Sequence, residues 1–204
     1  MAITNGYCTR AEAKEALSIA NADTADDVLI DTLVTVASRL IDGYCERFFY
    51  SANQTRYYTP QDDYFCPIDD LVSVTTIFTD DNDDGTYSTT WLTTDWTLDP
   101  INAALDSSPR PYNLIEAPVY GTKVFPSAIR NSVKVVGVWG FPSVPASIQQ
   151  ACVLLTTTLY ASRNAPFGVL GGGDTGQVFR LSSRLHPAAV ALIEPFRKRG
   201  GFAV

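Results

Sequence analysis

The chain has 204 residues, 46% of them hydrophobic, and its 22 acidic and 15 basic side chains leave a net charge of -7. That apolar content supports a packed core and excludes bulk disorder, and the length suits one domain with an insertion or two small domains. A net negative chain with carboxylates clustered from Asp62 to Asp106 also excludes tight, counterion-releasing binding of nucleic acid across its surface.

Met1 to Asn5 lacks the basic and apolar regions of a secretory leader. The longest apolar runs, such as Ala151 to Leu155, are far too short to span a bilayer. The expectation is a protein made and used in a cytosol, with no membrane partner. Thr9 with Glu12 has capping-box spacing, which predicts a short first helix through about Leu17, and Asn21 to Asp23 punctuate the chain after it. Thr24 and Asp27 resemble a second capping box with Asp in place of Glu. Leu29, Leu33, Val36, Ala37, Leu40, Ile41 and Tyr44 then recur at helical steps, before an aromatic exit at Phe48 and Phe49.

From Gln54 to Trp139 the character is β. Thr55 to Tyr58, Leu71 to Phe78, Trp96 to Leu98 and Ser132 to Trp139 are rich in Val, Thr, Ile and aromatic residues, and turns rich in Asp, Pro and Gly separate them. Gly140 to Pro145 stops the last strand, and Pro145 sits where a helix can begin. Ile148, Cys152, Leu155, Leu159 and Tyr160 then mark one helix face. A glycine-rich segment from Asn164 to Gly176 reads as a flexible arm, followed by a terminal helix from about Pro187 that ends before Gly200 and Gly201. No repeat and no βαβ alternation is present, which disfavours a doubly wound sheet. The expected class is α+β: N- and C-terminal helices forming a small bundle, residues 1–50 and 143–204, with an inserted antiparallel β region at 51–142.

Several patterns mimic reactive sites. Asp80, Asn82 and Asp84, followed by Gly85, match the start of an EF-hand loop, but the closing Glu position is Trp91 and the flanks read as strands, so a solvated turn is expected. Gly171, Gly173 and Gly176 satisfy G-x-G-x-x-G, yet a loop precedes them and too little chain follows for another β-α-β unit. His186 is the only histidine, and Pro187 marks it as a residue at a helix entrance, although Ser182 and Ser183 lie close by. Asp62, Asp63, Asp69 and Asp70 would suit paired-carboxylate chemistry only if the fold set their separation. Cys8, Cys45, Cys66 and Cys152 show no metal-binding spacing and read as buried, free thiols rather than disulfides. No catalytic, cofactor-binding or metal-binding residue is assigned, and the chain is not expected to be an enzyme.

Two features suit contacts with other chains. Arg197, Lys198 and Arg199 form a basic cluster that complements the negative end of the last helix and is suited to an acidic neighbour. Phe167, Val169 and Leu170 give the arm something to bury when it meets a groove.

Taken together, the Asp26-Asp27 start, the Ala37-Ser38 to Arg47-Phe48 run, the strand Thr55-Arg56-Tyr57-Tyr58, and the later Gly140, Val144-Pro145, Ile148, Ala151, Leu159-Tyr160 and Arg163 resemble the head-to-tail connector (adaptor, or head-completion) proteins of long-tailed double-stranded DNA phages. The resemblance implies a structural protein of the virion neck, assembled in the host cytoplasm. Its subunits would form a ring, usually of twelve, between the portal and a downstream neck or tail protein, with double-stranded DNA passing through the lumen without tight specific binding. The chain departs from the shortest such proteins in its larger β region and its glycine-rich arm. Rival readings are a tail-completion component of the same neck, an enzyme of unrecognised type, and a β-rich carbohydrate-binding module with Trp91, Trp96 and Tyr112 as a stacking platform.

Overall fold

The computed structural model describes residues 2–105, 110–163, 169–171, 178–180 and 185–198. The fold is α+β, with helices on either side, along the chain, of an inserted antiparallel sheet. The chain divides into two compact units, Met1–Phe48 with Val144–Val204, and Phe49–Ser143.

In the first unit, α1 (Arg10–Ala16) begins at the capping box. The Thr9 hydroxyl accepts from the Glu12 amide at 3.2 Å, while the Glu12 carboxylate accepts from the Thr9 amide at 2.7 Å, so two amides left over at a helix start are satisfied. Helix α2 (Asp27–Cys45) starts differently from expectation: Asp26 is its N-cap, and no side chain caps the helix. The Asp26 carboxylate is drawn instead to α3 (Ala146–Ser162), where it meets Arg163 at 3.0 Å and the Tyr160 hydroxyl. Asp27 is likewise held by Arg10 and Lys14 of α1.

The buried face of α2 is Ile30, Val34, Ala37, Ile41 and Cys45, with the polar Asp31 and Ser38 buried among them. It packs on α3 through Ile148, Ala151, Cys152 and Leu155. Each fully buried Ile, Leu or Val here contributes roughly 1.5–3 kcal/mol relative to exposure. Leu29 and Leu33 are only half-buried and Val36 and Leu40 are exposed, so the apolar stripe read from the sequence straddles the edge of the core face. Helix α4 (Pro187–Ile193) closes on α3 with Ala189 and Ile193 inward, and a 3-10 turn, Glu194–Phe196, follows it.

The segment expected to be an arm contains order. Strands β7 (Val169–Gly171) and β8 (Val178–Arg180) pair antiparallel, with Leu170 opposite Phe179. Val169 and Leu170 therefore lie in a ladder rather than on a free loop.

The second unit is a six-stranded antiparallel sheet made of β1 (Ala52–Tyr58), β2 (Phe65–Thr79), β3 (Thr89–Trp91), β4 (Thr97–Asp99), β5 (Tyr112–Glu116) and β6 (Val133–Trp139). The order is β1-β6-β2-β5-β4, and β3 adds to β2. β6 alternates strictly, burying Val133, Val135, Gly137 and Trp139. β2 is longer than its apolar run. Its buried positions change phase from Cys66, Ile68 and Asp70 to Leu71, Ile77 and Thr79, because the register shifts between Pro67 and Leu71 and again before Ser73. Trp139 anchors the sheet: its indole N–H donates to the Gln54 carbonyl at 2.9 Å, with Tyr58 against it at 5.5 Å and Arg56 over its face at 4.8 Å.

Candidate assembly surfaces

The loops that mimic reactive sites are built as structure. Between β2 and β3 the Asp80 carboxylate is buried and accepts from the amides of Asn82 at 3.2 Å, Asp84 at 3.4 Å and Gly85 at 2.8 Å, while Gly85 takes φ +78°. Those amide bonds hold the Asp80 carboxyl below the usual carboxylate range against the opposing effect of burial. Its oxygens are committed to the turn itself. No group of three His, Cys, Asp or Glu side chains able to hold a metal ion occurs among the described residues.

Asp62 behaves similarly, its Oδ1 accepting from the amides of Tyr64 and Phe65 at 2.8 Å each. Asp63 takes the Ser127 hydroxyl, and Asp69 is paired with Arg56 at 2.8 Å. These carboxylates hold strands and turns in place. His186 caps α4, its Nδ1 accepting from the Ala188 amide at 3.2 Å. Gly173 and Gly176, with Ser182 and Ser183, lie outside the described residues, and Gly171 ends β7. Trp91 is a core residue. It stacks on Phe125 with ring centroids 4.5 Å apart and donates to the Thr79 hydroxyl at 3.1 Å, so it contributes no exposed platform beside the half-buried Trp96 and Tyr112. All four cysteines are free and buried.

Three surface features stand out among the described residues. At the C-terminal end of the helical unit the chain returns to the end of α2: the Lys198 amide donates to the Cys45 carbonyl at 2.9 Å, Arg197 lies over the Tyr44 ring at 5.4 Å, and the Tyr44 hydroxyl meets the Glu194 carboxylate. Arg197 thus presents its charge from a fixed position, exposed to solvent. Phe167 and Arg199 lie outside the described residues.

A second surface is the seam of α2 beside its core face. Leu29, Leu33, Val36 and Leu40 follow an i, i+4, i+7, i+11 spacing, and Val36 and Leu40 are 42% and 40% exposed. The sequence signal for this seam is that apolar residues occupy more of α2 than one face can bury. A third group, Leu92, Ile101, Leu105, Val119 and Tyr120, projects from turns of the sheet unit, with Tyr120 fully exposed. Nothing in the periodicity marks those positions, because turns carry no repeat.

No protein-family model matches the chain, and no curated protein does. Solved structures match over its whole length. The chain aligns over 100% of its residues with 96% of a chain in the "neck of empty GTA particle computed with C6 symmetry", at 21% identity and a TM-score of 0.60. The corresponding values are 21% and 0.58 for the "neck of native GTA particle computed with C12 symmetry", and 20% and 0.55 for the "virion of native gene transfer agent (GTA) particle", each over the same shares of the two chains. The chain shares the fold of these particle chains.

That shared fold takes in the helical unit and the inserted sheet unit alike. The two differ electrically. The segment Phe49–Ser143 holds twelve acidic and five basic residues, whereas the rest of the chain holds ten of each, so the whole net negative charge resides in the sheet unit.

Proposed function

We propose that the chain is a structural, non-catalytic protein of a virion neck, a ring subunit seated between the portal of a DNA-filled capsid and the tail-side neck proteins. The observation that carries this reading is the fold likeness over the full chain to chains of gene transfer agent particles, two of them in structures titled as necks. The C12 and C6 symmetries of those neck structures support a ring, and twelve copies satisfy both.

The surfaces suit the role. A ring subunit needs apolar area outside its own core, and the Leu29, Leu33, Val36 and Leu40 seam supplies it. The basic Arg197, Lys198 and Arg199 end, together with Phe167, Val169 and Leu170, is proposed to contact the portal or the next copy. A sheet unit with excess negative charge does not grip passing DNA, which a conduit must release. Assembly is expected in the host cytoplasm before the particle is complete.

The test is reconstitution with the cognate portal, imaged by negative-stain electron microscopy. A ring on the portal vertex, and capsids that fail to join tails when the protein is withheld, are the expected results. A protein that stays monomeric with portal present, alongside tailed particles formed without it, would overturn the reading.

A further inference from the structure

Cys8 and Cys152 are 144 positions apart in sequence, and their Sγ atoms stand 3.2 Å from each other in the interior of the helical unit. The sulfurs of a disulfide sit at about 2.0 Å, so a small approach separates this pair from a bond. The approach is guided on both sides. Cys152 is fully buried on the face of α3 that packs on α2, with the Ser38 hydroxyl 3.5 Å from its sulfur. The segment carrying Cys8 is pinned over it by the Tyr7 amide, which donates to that same Ser38 hydroxyl at 3.0 Å, and Ser38 in turn donates to the Val34 carbonyl at 2.8 Å. Cys45 and Cys66 have no such partner: Cys45 points its thiol at the Ile193 carbonyl, and Cys66 sits in β2 of the other unit.

We propose that Cys8 and Cys152 form a redox-sensitive staple, closing to a disulfide with a low-molecular-weight disulfide such as oxidised glutathione as the oxidant and tying the N-terminal segment to α3.

The two thiols are unequal in a way that supplies the nucleophile. The hydrogen bond from Cys8 holds the Cys152 thiol below its ordinary range despite burial, and the same bond, with burial, pushes Cys8 up. Burial alone pushes Cys66 up to about 12 and is the main cause that takes Cys45 to about 11, so those two are poor nucleophiles at neutral pH. Opening of the residues that cover Cys152 admits the oxidant. The Cys152 thiolate attacks one sulfur of oxidised glutathione, breaking its S–S bond and releasing one glutathione thiolate. With Cys152 in the mixed disulfide, the charge that held the Cys8 proton is gone; Cys8 gives that proton to the released thiolate and attacks the Cys152 sulfur, releasing the second glutathione as a thiolate that takes up the proton Cys152 had lost to solvent. Two protein S–H bonds are lost and one S–S bond is formed, while one molecule of oxidised glutathione becomes two of the reduced form. A reducing glutathione pool runs the same steps backward, so the staple reports the redox poise around the protein.

The experiment equilibrates the full-length protein with glutathione buffers from fully reduced to fully oxidised, quenches by alkylation, and maps peptides by mass spectrometry. Expected is an intramolecular Cys8–Cys152 cross-link with the loss of two hydrogens, and a Tm raised by roughly 5–15 °C because a long loop is closed in the unfolded chain. Dithiothreitol reverses both. The Cys45→Ser, Cys66→Ser double variant keeps the effect, and Cys152→Ser abolishes it. Should Cys152→Ser fold poorly, the thiol map of the unaltered protein decides alone. Four alkylatable thiols in the oxidised buffer, glutathione retained on either cysteine, a cross-link between two chains, or a cross-link without a rise in Tm would each overturn the proposal.

Discussion

A Cβ placed on Gly137 of β6 would stand 2.4 Å from the Ser73 carbonyl oxygen of β2 and 3.1 Å from Leu71 Cδ1. The first contact is with backbone in the middle of a paired strand, so it cannot be relieved by turning a side chain. Gly137 faces Val74 in the stretch of β2 where the register shifts on both sides, and the irregular strand is what brings the Ser73 carbonyl so close.

Gly137→Ala is therefore expected to destabilise the sheet unit by about 1–3 kcal/mol, as an overpacked core does. Gly43 is the matched control, because a Cβ there meets nothing within 4 Å inside α2. Gly43→Ala is expected to stabilise by about 0.5–1 kcal/mol through helix propensity. Urea melts of the two variants check the pair, and equal midpoints would contradict both steric arguments.

Asp80 holds its turn through three backbone amides, so Asp80→Ala leaves those donors without their acceptor. The expected outcome is a Tm lower by roughly 3–8 °C. Calcium should leave the Tm of the unaltered protein where it is, since the carboxylate is already occupied and no closing Glu is present. A saturable rise in Tm at sub-millimolar calcium would show that the turn opens to bind the ion.

Acid should loosen the helical unit. Arg163 and then Tyr160 hold the Asp26 carboxyl below its usual range, and Lys14, with Arg10, does the same for Asp27. A carboxylate whose pKa is lower folded than unfolded adds stability that is complete above the unfolded value of about 3.9 and is lost as pH falls through the lower, folded value. Asp42 acts in the opposite sense, because burial raises it against the pull of Tyr7 and Arg39. The net expectation is a Tm that falls steeply below about pH 4, with Asp26→Asn flattening part of that slope. An unchanged slope in the variant would mean that the Asp26 contacts to α3 are not held in solution.

The proposed ring role puts the α2 seam, rather than the core, in the lateral contact, and that can be tested apart from folding. Val36→Glu with Leu40→Glu should change the monomer's stability by no more than about 1–2 kcal/mol, because both positions are solvent-exposed, at 42% and 40%, and a carboxylate there reaches water. Ring formation on the portal should be lost. Sedimentation of the variant with and without portal reads the result, and rings of normal size would remove the seam from the lateral contact.

Local signals in the sequence carried much of the architecture. The Thr9–Glu12 box, the change from alternation in β6 to helical spacing after Pro145, and His186 ahead of Pro187 each depend on neighbours within a few residues, so they were legible before any fold was known. Short strands were not: β3, β5, β7 and β8 have three to five residues each and are defined by the ladders they join rather than by a period of their own. The start of β2 was hidden by Pro67, Asp69 and Asp70, which suit a turn; β5 pairs with Phe65 to Pro67 and again with Leu71, and the two Asp residues lie in the irregular stretch between.

By itself, the sequence determined the class of fold, the freedom of the cysteines from metal-binding patterns, the absence of a closing Glu after Gly85, and an excess of apolar positions on α2. Each of these is a property of residue type and spacing. Tertiary structure decided which α2 residues face the core, that Asp26 leaves its capping role for Arg163 and Tyr160, that Trp91 stacks on Phe125 in the interior, and that Cys8 meets Cys152. These depend on contacts between residues up to 144 positions apart, whose outcome is set by packing the helices of one unit, and separately the bulged sheet of the other, to density, and no local period encodes it.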